Sequence, residues 1–310
     1  MPQRMARGTD ARESPLLVHG ALVAVQLAFA GHAVAGKIVV RELPPGALAL
    51  GRTLLAGLIL FAIHRTRGGA LRVPPADLAR LAGCALLGIA GNQVLFFEGL
   101  ARTTAINASV LVATIPIFTL LVALVLRREA TSGLALLGVG LALAGVVYLL
   151  GAEALTVSGA TLLGDALVIG NSLSYGAYLV LVGPLVRRHG SLKVVVWLFA
   201  FGALWVLPYG ARDLLAHAPS ITADTWLLVL FIVLFATVFT YLVNAWALGR
   251  APASIVAIYI YLQPVAAAVL AVLVLGEALT SRVILAAALV FAGIALATRA
   301  RLRSARPADR

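Results

Sequence analysis

The stretch ATIPIFTLLVALVLRREA, Ala113 to Ala130, has a second version in YLQPVAAAVLAVLVLGEA, Tyr261 to Ala278. In each, a proline opens an apolar run that closes on Glu-Ala, and Pro116 to Glu129 is spaced as Pro264 to Glu277, 148 residues further on. The same offset pairs Leu100, Arg102, Ala105, Leu137 and Gly145 with Leu248, Arg250, Ala253, Leu285 and Gly293. Alanine and leucine coincide cheaply in such a chain. One ungapped register that also aligns Arg, Pro, Glu and Gly does not, and it marks an internal repeat.

Composition sets the solvent. Of 310 residues, 62% are apolar and 12% charged, against roughly 45–50% and about 25% in soluble proteins. So few charges cannot cover a water-facing surface. Apolar runs long enough to cross a bilayer as helices recur along the whole length. The pattern predicts an all-α integral membrane protein with ten transmembrane helices, at about 16–36, 46–64, 77–97, 104–126, 132–151, 160–184, 192–210, 225–247, 253–275 and 281–299.

The net charge of +12 would suit nucleic acid if it formed one soluble patch. Instead the basic residues sit in short links between apolar runs, where they orient spans, and no nucleic acid partner is expected. With the N-terminus in the cytoplasm, 18 of the 24 Lys and Arg residues fall inside. Five fall outside (Lys37, Arg41, Arg102, Arg212 and Arg282), and Arg52 lies within the second span. The expected site is a bacterial inner (plasma) membrane, crossed many times, with cytoplasmic tails at 1–15 and 301–310. The apolar first span reads as retained rather than cleaved. Cys84 is the single cysteine, which excludes an intrachain disulfide.

Residues 16–151 and 152–300 then hold five spans each. Five is odd, so the second copy enters the membrane upside down. Two inverted five-helix repeats are a transporter architecture, in which a site between the halves opens to either side by equivalent motions.

Three stretches carry a family resemblance. NQVLFFEGLARTTAINASVLVATIPIFTLLVALVLRREA (92–130), YLVNAWALGRAPASIVAIYIYLQPVAAAVLAVLVLGEAL (241–279) and LALGRTLLAGLILFAI (48–63) resemble the drug/metabolite transporter superfamily in its EamA-type branch. The resemblance departs at Arg128, where the pattern has Gly before Glu, and in span one, which lacks a Trp-Gly pair. It implies ten helices, inverted five-helix repeats and export or exchange of small metabolites.

Polar groups are costly in hydrocarbon and face the bundle interior or a water-filled cavity. Asn171, Tyr175 and Tyr178 share one helical face at i, i+4 and i+7. Tyr241 and Asn244 form an i, i+3 pair, and Tyr259 and Gln263 an i, i+4 pair. Asn92 stands near the mirror position of Tyr241, Gln26 is in mid-span, and His32 lies further toward the outer side. These ten residues are the candidate lining of a substrate cavity. Plain helix-joining hydrogen bonds and an interfacial tyrosine belt are the competing readings. Pro116 and Pro264 are the expected helix kinks. Arg52 either snorkels to the outer face or attracts an anionic group, and Glu129 suits a helix start.

No Asp or Glu falls at mid-membrane, and no HExxH or nucleotide-binding Gly-rich loop occurs. We therefore assign no catalytic residue, metal ligand or cofactor. The expected partners are a small-molecule substrate and the lipid bilayer. A proton is one candidate coupling ion, with His32 as a titratable group. The function read from the sequence is a secondary transporter exporting or exchanging a small organic metabolite, an amino acid or drug-like compound, by alternating access, as a monomer or homodimer. The alternatives are a membrane-embedded enzyme or a non-transporting membrane scaffold.

Overall fold

The computed structural model describes residues 15–39, 42–100, 102–103, 108, 111–150, 162–266, 269 and 281–304, and among them there are helices and turns but no strands. In chain order the helices are α1 (Pro15–Val39), α2 (Pro45–Thr66), α3 (Pro75–Leu100), α4 (Ile115–Val125) and α5 (Gly133–Leu150). There follow α6 (Leu162–His189), α7 (Ser191–His217), α8 (Ala223–Leu248), α9 (Ala253–Ala266) and α10 (Ser281–Ser304). Five of them, α2, α3, α6, α7 and α8, are long and apolar enough to cross a membrane, and the others contain shorter apolar helices. Glu277, the second copy's counterpart of Glu129, lies outside the described residues.

Local chemistry explains the ends. Pro45 and Pro75 begin α2 and α3, where a missing N–H costs nothing. Gly190 adopts φ +83° between α6 and α7, a left-handed turn that glycine tolerates best. The end of α4 is unusual, because Arg127 takes the left-handed position at φ +52°. Arg128 N–H then donates to Ala123 O at 2.8 Å and Arg127 N–H to Leu124 O at 2.9 Å, the pair of bonds that closes a helix in a Schellman motif. In the link between α1 and α2, exposed Glu42 accepts from the Thr222 N–H at 3.2 Å and from its hydroxyl at 2.9 Å.

Both α3 and α8 widen in the middle. A π-turn at Leu86–Gly91 interrupts α3, and one at Leu234–Phe239 interrupts α8. The pieces of α3 end at Ala85, Gly91 and Leu100, and those of α8 at Val233, Phe239 and Leu248. Every boundary in α8 thus falls 148 residues after its counterpart in α3. The prolines follow the same rule. Pro116 stands in the first turn of α4, after turn residues Ala113 and Thr114, and Pro264 follows a 3₁₀ turn at Tyr259–Tyr261. A proline withholds the N–H owed to the carbonyl four residues back and crowds it, and each regular helix breaks just upstream of the ring.

Packing gives the bundle its shape. Helix α2 lies along α7 and α5 along α10, while α3 packs on α6 and α1 on α8, and α4 touches both α6 and α9. The α5–α10 contact is close. A Cβ on Gly138 would fall 2.6 Å from Ala297 N and 2.7 Å from Gly293 O, and one on Gly293 would fall 2.6 Å from Ala142 N and Gly138 O. Small residues let these backbones touch.

The surface is inverted relative to a water-soluble protein. Leu58, Phe61, Leu121, Leu204, Leu227 and Phe291 are exposed, while Gln26, Arg52, Gln93, Asn171 and Asn244 are buried. Lipid is the solvent that this arrangement matches.

Candidate functional site

The π-turn of α3 organises the largest polar group. In an α-helix the Asn92 N–H would donate to Gly88 O; here it is shared between Ile89 O and Leu87 O. That leaves the Gly88 carbonyl without its usual partner, and the Tyr241 hydroxyl of α8 donates to it at 2.8 Å. Ser174 of α6 donates to Leu87 O at 2.9 Å, and the Asn171 amide donates to Asn92 O at 2.6 Å. Three polar side chains from two helices therefore dock on one irregular backbone segment. The matching carbonyl in α8, Ala236 O, is taken by its own helix through Thr240 Oγ1 at 2.9 Å.

Aromatic rings fill the space beside this segment. Tyr178 lies 5.4 Å from Tyr175 and 6.5 Å from Tyr241 between centroids, and Phe199 of α7 meets Tyr241 edge-on at 5.0 Å. Asn244, buried like Tyr175, lies three residues after Tyr241 on α8. A Cβ on Gly88 would fall 2.4 Å from the Tyr178 ring, so only glycine leaves room there.

The remaining predicted residues form separate pairs. Gln263 donates its amide to Gln26 Oε1 at 2.9 Å, joining α9 to α1. Tyr259 meets His19 Nδ1 at 2.6 Å, with the rings stacked at 5.8 Å. His32 faces Arg52, with 3.5 Å between Nε2 and Nη1. The structure thus unites Tyr175, Tyr178, Tyr241 and Asn244, joins Asn92 to Asn171 and Gln26 to Gln263, and gives Tyr259 and His32 other partners.

Arg52 does not snorkel. The residue is 5% exposed. An unpaired charge at mid-membrane costs about 2.5–3.5 kcal/mol on insertion scales. The ion pairs at Asp77 and Glu98 are made by Arg80, Arg188, His189 and Arg102 and do not involve Arg52. Buried polar atoms without a partner include Arg52 Nε, His32 Nδ1, Gln93 Oε1 and Tyr178 Oη.

A cavity of about 300 Å³ opens at the far end of α6, lined by Arg128, Glu129, Leu179, Gly183, Arg187 and Arg250. Glu129 accepts from Ser254 N at 3.3 Å and from its hydroxyl. Its carboxylate therefore serves the N-terminus of α9, and Ser132 caps α5. Among the described residues no group of His, Cys, Asp and Glu is placed to hold a metal.

Sequence reasoning missed Gly88, Ser174 and Ser254. Ser174 was legible, three residues after Asn171 on its helical face. The other two depend on contacts between helices that spacing does not reveal.

Comparison with known proteins places this arrangement in a family. The model of the EamA-like transporter family matches residues 17–151 and 162–299. An uncharacterized transporter of Archaeoglobus fulgidus is 31% identical over 260 residues, covering 84% of this chain and 89% of that protein. A Streptantibioticus cattleyicolor protein named a probable terminal-alkyne amino-acid exporter is 27% identical over 93% of this chain and 92% of its own length. The uncharacterized inner membrane transporter YedA of Escherichia coli is 28% identical over 91% of each chain. A solved crystal structure superposes with a TM-score of 0.78 at 21% identity, covering 94% of this chain and all of the other; it speaks to the fold alone. With the family model matched over both halves of its length, the chain is a multi-pass membrane protein that belongs to the EamA-like transporter family.

Proposed function

We propose that the protein is a secondary carrier that exports or exchanges a small organic metabolite, an amino acid or drug-like compound, by alternating access. In this reading ten spans form two inverted five-helix repeats, 16–151 and 152–300, with both termini in the cytoplasm of a bacterial cell. The observation that carries the reading is the 148-residue recurrence of helix, π-turn and helix in α3 and α8. The packing supports it. A two-fold exchange of the halves turns the α3–α6 contact into α8–α1 and leaves the α2–α7, α4–α9 and α5–α10 contacts in place. Inverted repeats give a carrier two states related by symmetry. The buried tyrosine and amide groups between α3, α6 and α8 supply polar contacts, and the exporter name of the Streptantibioticus relative favours an amino acid.

The test is uptake of a labelled amino acid panel into proteoliposomes, with and without a pH gradient. Accumulation of any member, lost in Tyr241→Ala or Gln263→Ala, supports a carrier with its site on these faces. Gradient dependence supports a coupled proton. An inert protein against amino acids and drug-like solutes alike refutes the reading.

A further inference from the structure

Arg52 is the one Arg or Lys found buried among the residues whose burial is described. It is the eighth residue of α2, about 10 Å along the helix axis from Pro45. A guanidinium presents five N–H donors in a planar fork and does not deprotonate in proteins. The hydrogen bond that the structure gives its side chain is the 3.5 Å approach to His32, and its Nε has no partner. His32 adds an orphaned Nδ1 on the neighbouring helix α1. On the other side, Gln93 of α3 donates to Thr53, the residue after Arg52, at 3.3 Å and keeps an orphaned Oε1. Three helices thus bring unsatisfied polar atoms to the level of one buried cation.

Such a fork fits a carboxylate with two parallel hydrogen bonds. A phosphate dianion would call for a second cation, and Arg52 has no second buried Arg or Lys beside it among the described residues. We propose that Arg52 binds the carboxylate of the transported solute, so that the substrate class is small organic acids that carry a free carboxylate, amino acids included. This deepens the carrier reading and rests on it.

The experiment compares labelled L-amino acids with their carboxamides, which keep the side chain and amine but lack the anion, in proteoliposomes of wild type, Arg52→Lys and Arg52→Gln. The expected wild-type result is at least a tenfold preference for acids. Arg52→Gln is expected to lower acid uptake at least tenfold without raising the rate for amides, and Arg52→Lys to fall between. If Arg52→Gln does not fold, Arg52→Lys decides, with the acid-over-amide preference expected to drop at least threefold. A purely structural arginine would lower uptake of any solute without changing that preference. Equal uptake of acids and amides, or an acid preference unchanged in the variants, overturns the proposal while leaving the carrier reading intact. Uptake of neither class overturns both.

Discussion

Gly88→Ala tests whether the tyrosine cluster and the π-turn are locked together. The added Cβ would sit 2.4 Å from two atoms of the Tyr178 ring and 2.8 Å from a third, where packed carbons stand about 3.5–4.0 Å apart. The ring must retreat by roughly 1 Å or more, and one of the struck atoms is Cγ, the hinge of the ring itself. Tyr178 is fully buried, with Tyr175 and Tyr241 against it. Helix α3 must therefore yield, and a shift of that size carries Gly88 O out of the 2.8 Å bond from Tyr241. Overpacking costs about 1–3 kcal/mol, and a lost interhelical hydrogen bond in a membrane about 0.6–1.7 kcal/mol. We expect a loss of about 2–4 kcal/mol, read from unfolding in mixed detergent micelles as the SDS fraction rises. Tyr178→Ala removes the obstacle at a cost of about 3–5 kcal/mol by itself. The double variant should then lose less than the sum by about 1–3 kcal/mol. Additivity within about 0.5 kcal/mol would show that the two residues do not meet as described.

Three further outcomes follow from other contacts. Arg127→Gly should raise stability by about 1 kcal/mol, because the left-handed φ of +52° strains any residue with a Cβ; a loss in the same unfolding assay would contradict the α4 ending. Gln26→Leu and Gln263→Leu should each destabilise by about 0.6–2 kcal/mol and the pair by little more than either, since they share one 2.9 Å bond; full additivity would separate them. The Thr222 N–H and hydroxyl hold the Glu42 carboxyl below its usual range, so its contribution is present above the unfolded-state value and lost as pH falls through the folded one. The difference in Tm between wild type and Glu42→Gln should therefore vanish on acidification, and a difference that persists would refute the contact.

Much of the helical pattern was legible because burial in lipid writes long apolar runs, and the 148-residue offset of the sequence returns in the helix boundaries of α3 and α8. The turns near Pro116 and Pro264 lie upstream of each ring rather than at it, since the hydrogen bond a proline withholds belongs to an earlier carbonyl. The π-turns were not legible. Nothing in LLGIAG or LFATVF differs from an ordinary helical run, and the widening shows only in which carbonyl each amide selects. The candidate site was legible by helix face but not by partner. The i, i+4, i+7 spacing correctly gathered Tyr175 and Tyr178 on one side, while the union of Tyr241 with Gly88 spans 153 residues and depends on how α3 meets α8. Arg52 was visible as a charge, but the sequence left open whether its head turned outward or inward.

The α5–α10 crossing has a consequence for how such a chain accumulates mutations. Gly138 touches Gly293, while its own counterpart at the 148-residue offset is Ala286, which touches Gly145, the counterpart of Gly293. Because the two contacts are written by different codons, each can drift alone: Ala286 stands opposite Gly145 where Gly138 stands opposite Gly293.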